Sequence, residues 1–139
     1  MFVWKNDYSC NIAEIDAQHK RLFELAGDLY AIATSKDDVD YYDDICRIFK
    51  ELSEYTVYHF SYEEQLMEQH GYDHTDCRAH KWEHAAFVAK IQKIQESDLD
   101  MNQRKVLMEV IMFAVDWIEK HILATDKKYS EFFNAKGII

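Results

Sequence analysis

Apolar residues recur along this chain at the three- and four-residue spacing of a helix face, in four successive blocks. In the first, His19, Leu22, Phe23, Ala26, Leu29, Tyr30 and Ala33 share one stripe while Lys20, Arg21, Glu24 and Asp28 face away, with Asp16 as the expected N-cap. The second, from about residue 40 to 70, aligns Ile45, Ile48, Leu52, Tyr55, His59, Tyr62, Glu63 and Leu66, and Gly71 is placed as its C-terminal cap. The third, from about 75 to 96, aligns Cys77, His80, His84, Phe87, Val88, Ile91 and Ile94. The fourth, from about 101, aligns Leu107, Val110, Phe113, Ala114, Trp117, Ile118 and His121. Polar stretches at 35–38, 72–76 and 97–100 break the pattern between blocks. Four amphipathic helices on short loops predict an all-α fold, an antiparallel up-down four-helix bundle. The first dozen residues form an N-terminal arm and the last ten a short C-terminal helix or cap, in a single domain over 1–139.

Composition narrows the class. The 139 residues contain no proline and three glycines, which removes the usual punctuation of strands and favours long helices. A formal net charge of −10 repels phosphate backbones and anionic lipid, so nucleic acid and membrane surfaces are poor partners. The start lacks a basic segment followed by an apolar run, and no stretch approaches the roughly 20 apolar residues that span a bilayer. A cytoplasmic protein is expected. Cys10, Cys46 and Cys77 are odd in number and lack C-x-x-C spacing, which fits reduced thiols without an assigned role.

The chemistry lies in the histidines. Five of the seven fall on the inward stripes rather than the charged faces. A lone inward histidine is usually a satisfied core residue; the set is what points to a site. His59 and Glu63 stand at i and i+4, as do His80 and His84, so each pair projects from one helix face a turn apart. His19 and His121 supply single candidates from the other helices. Asp126 follows His121 by five residues, about 140° round an ideal helix, so a widened turn or helix end is expected there to swing the carboxylate inward. In an antiparallel bundle His19, early in its helix, shares a level with His59 and Glu63, late in theirs, with His80 and His84, early, and with His121, late. His70 and His74 flank Gly71 off the stripes and are expected to be solvated.

Neutral imidazoles suit zinc, copper, iron or nickel, but seven ligands exceed one tetrahedral zinc and include no thiolate. Two metals are implied. If Glu63 and Asp126 both bridge, the five histidines divide three and two, and with one solvent-derived bridge a single coordination position stays open. An open position on one ion of a redox-active pair suits a small molecule such as oxygen. Bundle sites that activate oxygen for oxidation carry Glu-x-x-His pairs, which these stripes lack, so carriage is favoured over oxidation.

These residues resemble the hemerythrin family, in its bacterial branch. The pattern is Ile15-Asp-Ala-Gln-His-Lys-Arg-Leu-Phe23, then His59-x-x-x-Glu63, Gly71-Tyr72, His80-x-x-x-His84, His121-x-x-x-x-Asp126 and Lys127-Lys128-Tyr129, across nearly the whole chain. Relatives often place a proline after the Gly-Tyr; here it is Asp73. The resemblance implies two iron ions, one bound by His80, His84 and His121, the other by His19 and His59. Glu63, Asp126 and an oxo or hydroxo group would bridge them. It implies reversible oxygen binding, without catalysis. Leu22, Phe60, Trp117 and Ile118, each within a turn of a histidine candidate, are expected to wall the oxygen position.

Rival expectations stand beside this one. His80-Lys-Trp-Glu83-His84 also reads as the H-x-x-E-H motif of inverted zinc proteases, but that leaves His19, His59 and His121 unused. A di-iron oxidoreductase acting on peroxide, nitric oxide or oxygen keeps the same site. A sensor would need a separate protein partner, which the sequence does not identify.

Overall fold

The computed structural model describes residues 3–35, 41–95 and 103–139. Its helices are α1 (Ala13–Ala33), α2 (Tyr42–Gln69), α3 (His74–Gln95), α4 (Gln103–His121) and α5 (Lys127–Ala135), with a short 3-10 turn at Asn6–Tyr8 and a π-helical turn at Ile122–Asp126. α1 packs on α2 and α4, and α3 packs on the same two, which closes the antiparallel four-helix bundle that the four stripes predict. None of the described helices is long and apolar enough to cross a membrane. The breaks expected at 36–38 and 97–100 and the helix start near 101 lie outside the described residues, as does the side chain of Leu107.

Helix ends follow local chemistry. Gly71 has φ +68°, a left-handed conformation that costs a β-carbon-free residue little, and lets the Tyr72 N–H reach back to the Met67 carbonyl at 3.0 Å. Asp73 accepts a 3.0 Å hydrogen bond from the Asp76 N–H and caps the first turn of α3. The expected N-cap at Asp16 is a correction: α1 starts at Ala13, with Ile12 at the cap and no side-chain cap bond. Asp16 instead accepts from Ser9 Oγ at 2.5 Å and from the Cys10 N–H at 2.8 Å, so its carboxylate fastens the arm to the helix. The arm is further tied by Tyr8, whose ring stacks on Phe23 with centroids 5.4 Å apart.

Two apolar clusters bracket one polar level. The larger includes Leu22, Phe60, Phe87, Ile118 and Ile122 and continues along the bundle through Leu29, Phe49 and Ile111. The smaller holds Ile15, Met67, Cys77, Tyr129 and Phe133 at the α5 end. In each of α1, α2, α3 and the α4–α5 segment, the histidine or carboxylate candidates lie between a residue of one cluster and a residue of the other. Burial of this kind is the dominant stabilising term, and it leaves the polar layer cut off from solvent on both sides.

His70 departs from expectation. It is half-buried rather than solvated, its ring edge-on to Phe133 with centroids 6.1 Å apart, because α5 folds back over the turn. His74 is exposed as expected.

Candidate metal centre

All seven candidates are buried and meet at one level: His19, His59, Glu63, His80, His84, His121 and Asp126. The π turn is what brings in the last of them. The Lys127 N–H bonds to the carbonyl of Ile122, five residues back, so the turn between His121 and Asp126 is one residue wider than in an α-helix. Asp126 Oδ1 thereby comes to 3.1 Å from His121 Nε2.

The carboxylate oxygens divide the histidines. Glu63 Oε1 lies 2.8 Å from His59 Nε2 and 3.2 Å from His19 Nε2. Its other oxygen, Oε2, lies 3.2 Å from Nε2 of both His80 and His84. Asp126 repeats the split, with Oδ2 3.1 Å from His19 and Oδ1 2.9 Å from His80. Two overlapping donor groups result: His80, His84 and His121 with both carboxylates, and His19 and His59 with both carboxylates.

Hydrogen bonding alone cannot account for this packing. The Nε2 atoms of His80 and His84 lie 3.0 and 3.1 Å from that of His121, and three converging ring nitrogens cannot all donate to one another. Glu63 Oε2 and both Asp126 oxygens are buried without a hydrogen bond. A donor set of five imidazoles and two carboxylates with inward lone pairs fits a pair of divalent cations, which would satisfy each of these atoms.

The protons follow the same electrostatics. Burial works to raise the carboxyl of Glu63, yet His59, His19 and His80 around it hold it well below the usual carboxylate range. Asp126 is likewise held down, against burial and the neighbouring Glu63, chiefly by His121 and His19. Against burial, Asp126 and Glu63 push His19 up to about 9 and His80 up to about 10. Burial dominates at His59 and lowers it.

Aromatic rings hold the imidazoles in place. His84 stacks on Phe60 at 3.8 Å, His121 on Trp117 at 4.3 Å and His80 on Tyr129 at 5.6 Å. The four residues expected to wall an oxygen position, Leu22, Phe60, Trp117 and Ile118, line one small cavity of about 10 Å³, together with Thr56, Phe87 and Ile122 and with His19, His59, His121 and Asp126 of the cluster. His80 and His84 do not line it.

Sequence reasoning missed an outer ring of polar partners. Gln18, adjoining the stripe on α1, places Oε1 2.7 Å from His59 Nδ1. Glu83 Oε2 lies 2.8 Å from His121 Nδ1, so the glutamate of the H-x-x-E-H string faces a histidine of another helix rather than the pair that flanks it. The Tyr129 hydroxyl donates to Glu63 Oε1 at 3.0 Å. Cys10 is buried nearby, its thiol pushed up to about 12 by burial and Asp126, and all three cysteines are free.

Fold and site together define a four-helix protein that encloses a two-metal histidine–carboxylate centre. The chain belongs to the hemerythrin family: the Hemerythrin HHE cation binding domain model matches residues 10–133. It is 39% identical over 129 residues to a bacteriohemerythrin of Clostridium acetobutylicum, covering 93% of this chain and 98% of that one. A bacteriohemerythrin of Stenotrophomonas maltophilia is 29% identical over 136 residues, with 94% and 80% covered. A bacteriohemerythrin of Methylococcus capsulatus is 29% identical over 129 residues, with 93% of each chain covered. Membership of this family makes the centre a di-iron one.

Proposed function

We propose that this chain binds oxygen reversibly at its di-iron centre and does not turn it over. One iron is assigned to His80, His84 and His121, the other to His19 and His59, with Glu63 and Asp126 shared. The observation that carries this is the position of the cavity: it borders both histidines of the side with fewer nitrogen donors, His19 and His59, but only His121 of the three on the other side.

When bound, the iron pair supplies reversible electron exchange with oxygen. The side chains do the rest. Glu63 and Asp126 each present one oxygen to either side and would hold both ions between them. The stacked rings of Phe60, Trp117 and Tyr129 stop the imidazoles from rotating, which keeps the geometry the same before and after oxygen binds. Leu22, Phe60 and Ile118 give the cavity an apolar wall that disfavours water and anions.

A second reading, di-iron catalysis on peroxide, nitric oxide or oxygen, uses the same donors. The test is metal analysis followed by anaerobic reduction and oxygen titration monitored by absorbance. Two irons per chain and an oxygenated spectrum that bleaches on degassing are expected. Sustained oxygen consumption in the presence of a reductant would overturn carriage in favour of catalysis, and one tightly held zinc would overturn both.

A further inference from the structure

The two sides of the cluster are backed by outer partners of opposite character. On one side, His121 Nδ1 faces the Glu83 carboxylate at 2.8 Å, and the same oxygen accepts a 2.7 Å hydrogen bond from Thr125 Oγ1. Glu83 precedes His84 on α3 and Thr125 precedes Asp126 in the π turn, so one carboxylate joins three candidate-bearing segments. It is reached from solvent through a cleft of about 210 Å³ lined by Glu83, Lys120 and Thr125, and Lys120 is paired with Asp116 at 3.0 Å. On the other side, His59 Nδ1 faces the neutral amide oxygen of buried Gln18, whose own Nε2 donates to Glu14 at 2.9 Å. The Nδ1 atoms of His19 and His121 are both buried outside hydrogen-bond geometry, but His121 Nδ1 has the Glu83 carboxylate at 2.8 Å and His19 Nδ1 has no carboxylate at ion-pair distance among the described residues.

A carboxylate at the outer nitrogen of a metal-bound imidazole makes the ring a stronger donor and favours the higher metal charge; a neutral amide does so less. We propose that Glu83 is a positioning residue that acts through His121 to stabilise the ferric state of the three-histidine iron, while Gln18 leaves the cavity-side iron without such support. The difference between the two irons then has two sources, the number of nitrogen donors and the charge behind them. This rests on the iron assignment proposed above.

The experiment compares iron-loaded wild type with Glu83→Gln and Glu83→Asp. Gln keeps the size and a polar oxygen beside His121 but removes the charge; Asp keeps the charge on a shorter stem. In Glu83→Gln, iron content and helical circular dichroism should match wild type, while the midpoint potential of the iron pair moves to a more positive value and oxidation in air slows. In Glu83→Asp part of that shift should be recovered. A second readout that needs no redox change is the 15N shift of His121 Nδ1 in zinc-loaded protein, which should move in Glu83→Gln towards that of an imidazole with a neutral acceptor. An unchanged potential in Glu83→Gln at equal iron content would overturn the proposal, as would a shift that Glu83→Asp fails to reduce. Wild type that binds no iron pair would overturn the function and this inference together, whereas failure confined to the variants strikes only the latter.

Discussion

The phenol of Tyr129, on α5, donates its proton to Oε1 of Glu63, on α2, at 3.0 Å, the same oxygen that faces His19 and His59. The C-terminal helix is therefore part of the polar layer as well as a cover for it. Burial, Asp126 and Glu63 push the phenol well above its ordinary range, which favours its role as a donor.

Tyr129→Phe should keep the stacking on His80 and lose only this donor. A hydrogen bond to a charged acceptor contributes roughly 1.5–3 kcal/mol, and iron-free protein should lose about that much in denaturant unfolding. Iron-loaded protein should release metal to a chelator faster than wild type. An unfolding midpoint equal to wild type would show that the bond contributes nothing.

Glu63→Gln should lower iron content towards about one per chain, because an amide oxygen is a poor bridging donor and the two-histidine side draws a larger share of its donors from the carboxylates. Iron analysis after gel filtration reads this directly. Retention of both irons with wild-type affinity would count against a bridging role.

Replacing an apolar wall residue should convert carriage into one-way oxidation. In Ile118→Asn or Leu22→Asn, the oxygenated absorbance should decay faster by roughly an order of magnitude, equivalent to about 1.4 kcal/mol in barrier, at unchanged iron content. Decay at the wild-type rate in both variants would mean that these residues do not guard the site.

The pH dependence of the iron-free bundle follows from its shifted groups. His19 and His80 are raised from 6.5 to about 9 and about 10, so their contribution to stability is fully present below pH 6.5 and fades as the pH rises through 9 and 10. Glu63 and Asp126 are depressed, so theirs is present above their ordinary values of 4.5 and 3.8 and is lost as the pH falls towards their folded range. His59 is lowered from 6.5, so its term is lost as the pH falls below that value, and iron-free protein should be most stable near pH 6.5, measured as unfolding free energy against pH. Iron affinity should run the other way through the neutral range, rising with pH as metal displaces the imidazolium protons. Iron-free stability that increases from pH 7 to 10 would contradict the assignment.

The bundle and the seven-residue cluster were legible because both are written in short-range spacing. Stripes at i+3 and i+4 give the inward faces, the antiparallel order gives the common level, and five residues between His121 and Asp126 already demand a wider turn. The roles of Asp16, His70, Gln18 and Glu83 were not legible, since each depends on a neighbour far along the chain or on the course of a loop. Asp16 has the residue type and place of an N-cap, and only the path of the arm makes it a tether. His70 is covered by Phe133, and Glu83 faces His121 across a helix interface; periodicity along one helix carries no information about rotamers on the next. A polar residue such as Gln18 on the flank of a histidine stripe was the signal available.

The π turn makes chain length, as well as residue identity, a determinant of the site. Removing one residue between His121 and Asp126 would restore α-helical register and rotate everything beyond by about 100°. Asp126, Tyr129 and Phe133 would swing away together, costing the cluster a carboxylate, Glu63 its phenol and the lower core its lid. Single-residue deletions in this stretch should therefore be far more damaging than any substitution there, and length variation among relatives should avoid it.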